Sequence, residues 1–218
     1  MQKIRIPEAT PTPAVMRSLS PARLDALKEV ANIGAGHAAT ALSLMTGARI
    51  MIDVPTVSVG QLSEVMPGIA AADARLVSVM MEMHGSLNGQ TLLALPLITG
   101  HRLVDLLLRR ERRRADTGFD RLEESALKEA GNILGGAYMT ALSEFLEMRL
   151  MPSPPRLRIA TASEILEDCN SLLVGDCAVY CVETEFSFEE VGERFRGFFL
   201  LLPDPDSFSA IFRAVRLS

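Results

Sequence analysis

The sequence predicts an α/β (α+β) fold that is internally duplicated, two similar halves related by a pseudo-twofold axis and sharing one core. Three observations carry this. Residues 27–43 laid on residues 127–143 without a gap match at ten of seventeen positions, where unrelated segments would match at about one. Each copy sits in a long helical pattern with its own start signal. Each helix is followed by Pro-punctuated, strand-rich sequence and then by a shorter apolar-periodic helix. A repeat near one hundred residues is too long for a solenoid unit, which leaves two halves packed on a common core.

The elements follow in order. Residues 1–19, with Pro7, Pro11 and Pro13 among Thr and Ala, read as an extended or disordered arm. Residues 20–218 then make a single domain of two repeats, about 20–115 and 116–218. Ser20 is placed to be an N-cap, Pro21 to open the helix and Gly47 to stop it, so the first long helix spans 21–46. "RIMIDVPTVSV", "RLVSVMMEMHG" and "GQTLLALPL" read as three strands with a turn at Asn88-Gly89, followed by a helix near 99–110. Asp120 with Glu123 is a capping signature for a second long helix reaching about Glu147. "LRIATASEIL", "DCAVYCVETEFSF" and "RFRGFFLLLP" are the next strands, and the last helix lies near 205–215.

Composition narrows the function classes. The 218 residues are 48% hydrophobic, enough for a substantial core, and carry a net charge of −5. That charge argues against nucleic acid as a partner, since phosphate neutralisation needs a basic surface. The one basic run, Arg109 to Arg114, has no interleaved aromatics and reads as a solvated helix end, its cations at the negative pole of a helix. No stretch approaches the roughly 18 apolar residues of a membrane span, and the N-terminus lacks a signal peptide's apolar core. The expectation is a cytoplasmic protein with no membrane partner. Cys169, Cys177 and Cys181 fit reduced thiols, the last two on one strand face. A metal site is the alternative, but no nearby His completes a ligand set, and His37, His84 and His101 are scattered.

Wound at 100° per residue, the first helix puts Leu27, Ala31, Gly34, Ala38, Ala41, Leu42 and Met45 on one side. Asp25, Glu29, Asn32, Gly36, Ala39 and Ser43 fall opposite. In the second helix Leu127, Gly131, Leu134, Ala141, Leu142 and Phe145 turn inward, while Ser125, Glu129, Asn132, Gly136, Met139 and Ser143 turn outward. The glycines therefore divide. Gly34 and Gly131 permit close packing; Gly36 and Gly136 sit beside an outward Asn, where a helix loses about 1 kcal/mol relative to Ala. Clearing side chains around a protruding Asn suits a surface that another macromolecule approaches closely. In one copy the pair would be ordinary helix surface, but it is kept in both.

An Asn amide does not titrate, so it cannot be a general base at neutral pH; it can accept from and donate to a water and fix its direction. A reaction needing a placed water more than proton abstraction fits, and phosphoryl transfer is one. Glu29 or Glu129, one turn earlier, would grip a cation on the partner. The chain has no P-loop, no HExxH and no acidic cluster for its own magnesium, so metal and phosphorylated group would come with that partner.

At these residues the sequence resembles the CheC/CheX/FliY family of chemotaxis phosphatases, nearest its CheC branch. The family's helix carries an acidic or Ser residue, Glu four later and Asn three after that, here Asp25-Glu29-Asn32 and Ser125-Glu129-Asn132. "NIGAGHAATALS" and "NILGGAYMTALS" resemble its helix continuations. The resemblance covers about residues 20–218. It implies a central, largely antiparallel sheet with both motif helices on one side, and hydrolysis of the aspartyl phosphate of the response regulator CheY. Asn32 and Asn132 would orient water, Glu29 and Glu129 would pair with the regulator's Lys, and CheY would supply Mg2+. Asp25, Gly36, Ser125, Gly136 and Met139 would line the binding faces. The alternative is a non-catalytic adaptor for the receptor deamidase CheD or a flagellar-switch component, and CheD is a possible further partner of the enzyme as well. Ala31 against Gly131, and Ala39 against Met139, leave open whether the two sites are equally active. CheX-like relatives carry one motif and dimerise, so two motifs imply a monomer, and no residues remain for a FliY-type C-terminal switch domain.

Overall fold

The computed structural model describes residues 21–110, 118–172, 178–188 and 193–214; the readings on residues 1–20, 112–114 and Cys177 lie outside these. The first half runs α1 (Pro21–Thr46), β1 (Ile50–Ile52), β2 (Thr56–Gln61), α2 (Leu62–Ile69), β3 (Arg75–Gly85), β4 (Gly89–Pro96) and α3 (Leu97–Leu107). The second repeats it as α4 (Arg121–Leu146), β5 (Leu150–Pro152), β6 (Arg156–Thr161), α5 (Ala162–Leu172), β7 (Ala178–Phe188), β8 (Glu193–Pro203) and α6 (Pro205–Ala214).

The strands form one eight-stranded sheet in the order β1-β7-β8-β4-β3-β5, with β2 also on β7 and β6 also on β3. Every pairing is antiparallel. Each half contributes a hairpin, and each hairpin is extended by the other half's strands. Ile50 pairs with Phe188 as Leu150 pairs with Gly85, and Val57 pairs with Val182 as Leu157 pairs with Val79. Where the hairpins meet, β4 lies beside β8 with Leu93 opposite Phe199. These matched registers give the sheet its pseudo-twofold.

Helices cover both faces. Val77, Val79, Met81 and Met83 of β3 point to the layer holding α1 and α4, while Leu76 points to that of α2 and α5. Leu93 and Leu95 against Leu92 and Ala94 in β4, and Phe199 and Leu201 against Leu200 and Leu202 in β8, divide the same way. Burial on both sides is why these strands read as unbroken apolar runs.

The described end of α1 and both ends of α4 match their sequence signals. Gly47 ends α1 at φ 69°, its N–H donating to the Ser43 carbonyl. The Asp120 carboxylate accepts from the N–H groups of Leu122 and Glu123, and Glu123 accepts from the Asp120 N–H. Arg109 donates to the Thr46 carbonyl at 3.0 Å, meeting the negative pole of α1, and Arg110 pairs with buried Glu123 at 3.1 Å. The described part of the basic run thus ties α3 to one end of each long helix.

Other elements differ from the sequence reading. "RIMIDVPTVSV" is two strands, β1 and β2, interrupted before Thr56 at Pro55. "LRIATASEIL" leaves the sheet at Thr161 and becomes α5, whose Glu164 accepts from the Thr161 N–H. The Asn88-Gly89 turn is a longer connection, with Gly85 and Gly89 both at positive φ. α3 begins at Leu97 and ends at Leu107. α2 and β5 were not foreseen: α2 has eight residues with Pro67 inside, and packing of Leu62, Val65 and Met66 near Ile165 and Cys169 holds it rather than propensity.

Candidate docking and active site

The site grows out of how α1 and α4 are buried. Both helices pack on the sheet and on each other. Leu27, Val30, Ala31, Gly34, Ala38 and Leu42 of α1 are buried, leaving Asp25, Glu29, Asn32, Gly36 and Thr40 exposed on one stripe. On α4, Ser125, Glu129 and Thr140 are exposed, and Asn132 and Gly136 are half-buried. The first Asn therefore stands freer of the surface than the second.

With no partner present, the motif side chains are unspent. No side-chain hydrogen bond or ion pair joins Glu29, Asn32, Glu129 or Asn132 to another described residue. Asp25 differs, accepting from Lys28 at 3.4 Å in a solvated pair. A Cβ added at Gly36 or Gly136 would meet nothing within 4 Å. An incoming surface can thus approach either Asn to backbone distance. The Ser43 and Ser143 hydroxyls at the far ends are committed, Ser43 to the Ile50 backbone and Ser143 to the Met148 carbonyl.

The helices beneath are fixed by groups whose roles the sequence did not reveal. Tyr138 rises against Gly34, stacks on Phe199 at 4.6 Å and shares a 3.0 Å hydrogen bond with Thr184. Tyr180 donates to the Leu27 carbonyl, pinning the turn of α1 that carries Glu29. Gly131 lets α4 settle on Val79, 2.5 Å from where a Cβ would be. The available signal was that both tyrosines of the chain fall in apolar runs, where a buried hydroxyl must find an acceptor. Burial raises Tyr138 to about 12, with Thr184 opposing, and pushes Tyr180 higher still. Both remain neutral hydrogen-bonding posts at physiological pH.

Met139 corrects the helical-wheel reading. It was placed outward beside Gly136 but is 2% exposed in the core shared by α1, α4 and the sheet. Tyr138 and Gly135 are buried as well, because α4 has two packing neighbours and its apolar arc is wider than one neighbour requires. Met45 errs the other way, 37% exposed at the last turn of α1. Cys169 and Cys181 are buried free thiols, raised by burial to about 11 and 12, so they stay protonated. Among the described residues no three His, Cys, Asp or Glu side chains cluster to hold a metal, and no helix is long and apolar enough to cross a membrane.

The model of the CheC-like family matches residues 23–59 and 122–159, once in each half and each time over a long helix and the strands after it. CheC of Bacillus subtilis, named as a CheY-P phosphatase, is 30% identical over 94% of this chain and 99% of its own length. The chain belongs to the CheC-like family. This CheC-like chain is also 27% identical to the flagellar motor switch phosphatase FliY of Bacillus subtilis, over 67% of the chain and 38% of FliY. The crystal structure of Thermotoga maritima FliY superposes with a TM-score of 0.72 at 26% identity, covering 91% of this chain and 98% of that one. The FliG–FliM complex of Helicobacter pylori gives 0.69 at 13% identity over 89% of this chain and 100% of that one, which speaks to the shared fold alone.

Proposed function

We propose that this CheC-like chain hydrolyses the aspartyl phosphate of a CheY-type response regulator, with one site on each long helix. Membership of the family and similarity to a CheY-P phosphatase support the reaction class. The observation that carries the finer reading is the outward Glu-Asn pair, present twice, uncommitted to any other described residue and flanked by an open glycine.

In this reading Glu29 or Glu129 pairs with a lysine of the regulator and seats the phosphorylated aspartate over the following helical turn. Asn32 or Asn132 then holds a water in line with the phosphorus. The water oxygen bonds to phosphorus, the bond to the aspartyl oxygen breaks, and a carboxylate and inorganic phosphate leave. Asp25, Ser125, Gly36 and Gly136 complete the faces; Met139 supports its face from beneath. Magnesium belongs to the regulator, since Glu129 alone, or Glu29 with an Asp25 already paired to Lys28, is not a dedicated site for an ion preferring octahedral oxygen. The chain acts as a monomer with both sites on one molecule.

The test is phosphate release from phosphorylated CheY with wild type, Asn32→Ala, Asn132→Ala and the double variant. Each single variant should keep part of the activity, and the double should lose about hundredfold, the scale of about 2.7 kcal/mol of lost orientation. Unchanged release in the double variant sinks the catalytic assignment. No acceleration of release by wild type, with CheD or a flagellar-switch component bound at the same faces, returns the adaptor reading.

A further inference from the structure

The direction in which each motif stripe faces decides whether the two helices can serve two partners at once. α1 and α4 run antiparallel. Arg109 reaches the last turn of α1 at Thr46, and its neighbour Arg110 reaches the first turn of α4 at Glu123. The cores agree: Leu27 and Val30 of α1 share one with Leu142 and Leu146 of α4, while Leu42 shares another with Leu127. Gly34 gives the register, since a Cβ there would strike Tyr138. Counted from that contact, Asn132 lies opposite Thr40, so the two Asn are about 12 Å apart along the helix pair at 1.5 Å per residue.

Across the pair they point apart. Gly34 faces α4, and Asn32, two residues earlier, is turned about 160° from it at 100° per residue. Leu134 is the counterpart of Gly34 and is buried with Ala38 of α1; Asn132 is turned from it by the same angle, about 160°. The sheet places the helices in the same sense. α1 packs on β1 and β2 at one edge, and α4 packs on β5 and β6 at the other.

We infer that one chain seats two regulators at the same time, back to back on opposite flanks of the helix pair, and that neither excludes the other. The inference rests on the proposed function for the identity of the partner. Packed helix axes lie about 8–10 Å apart, and each helix with its side chains reaches about 5–6 Å beyond its axis. The outward sides of the pair are then about 20 Å apart. A domain of about 100 residues has a radius of gyration of about 13 Å, equivalent to a sphere of about 17 Å radius. Two such spheres seated on a shared face with centres about 20 Å apart would overlap, because they touch at about 34 Å. Seated on opposite flanks their centres are about 54 Å apart, and tilting both by about 45° toward the open side of the helices still leaves about 44 Å.

Calorimetric titration with the beryllofluoride-loaded CheY-type regulator of the same organism reads occupancy without turnover. Wild type should bind two regulators per chain, and sedimentation at excess regulator should give the mass of one chain with two. Glu29→Lys and Glu129→Lys each set a like charge against the regulator's lysine, so each should lower the number from two to one and the double variant should bind none. Both side chains are exposed, and circular dichroism checks that the fold is kept. One regulator per wild-type chain, with one still bound by each single variant, means that the seats exclude each other and overturns the inference. It is overturned as well if one single variant abolishes binding, if the double variant still binds two, or if wild type binds none. Two regulators held through Glu29 and Glu129, with phosphate release indifferent to Asn32 and Asn132, overturns the catalytic reading and leaves the double seat standing.

Discussion

Gly34 and Gly36 are two positions apart on α1 and are glycine for opposite reasons. At Gly34 an added methyl group would run into the Tyr138 ring, so contact between the helices requires its absence. At Gly36 the same methyl group meets open space. Gly34→Ala should destabilise by about 1–3 kcal/mol through overpacking. Gly36→Ala should stabilise by about 1 kcal/mol through helix propensity, while weakening regulator-dependent phosphate release. Urea unfolding midpoints and release rates on the same two proteins separate these effects. A Gly36→Ala protein that is more stable and equally active removes the steric reason for that glycine. The division of the glycines was legible from helical winding. What Gly34 packs on was not, because Tyr138 stands where the first copy has Ala38, and only the folded chain shows the facing pair.

At the scale of elements, legibility followed the locality of the signal. Caps act within a turn or two, so α1 and α4 were readable to within a residue at their described ends. α2 and β5 depend on what packs or pairs with them, and neither partner is near in sequence. Met139 was misplaced for a related reason: a wheel drawn for one helix does not know that a second helix lies beside it. The cap of α4 offers a control that separates folding from chemistry. Asp120→Ala removes the acceptor for two backbone N–H groups and should cost about 1 kcal/mol, lowering Tm by about 2–4 °C. Glu129 and Asn132 lie further along α4, so phosphate release well below Tm should stay at the wild-type rate. A large loss of activity with little change in Tm would place the start of α4 in the docking face instead.

The whole molecule is a duplication whose halves cannot be lifted apart. The repeat was visible in the sequence, but the exchange of strands was not, since strand partners so far apart along the chain leave no local mark. β1 and β2 complete the sheet beside β7, β5 and β6 complete it beside β3, and α1 crosses to meet α4. Either half alone would expose hairpin edges and the apolar faces above them, which is unfavourable in water. The exchange therefore predicts one cooperative transition rather than two, even though each half has its own helix start and its own motif. Thermal unfolding followed by calorimetry should give a calorimetric enthalpy equal to the van't Hoff enthalpy, and single fluorophores on α1 and on α4 should report the same midpoint. Two separated midpoints would mean that the halves hold themselves independently. A single midpoint would mean that the two proposed docking faces share one scaffold, so that a core change beneath α4, such as Met139→Ala, lowers the thermal limit of both long helices together.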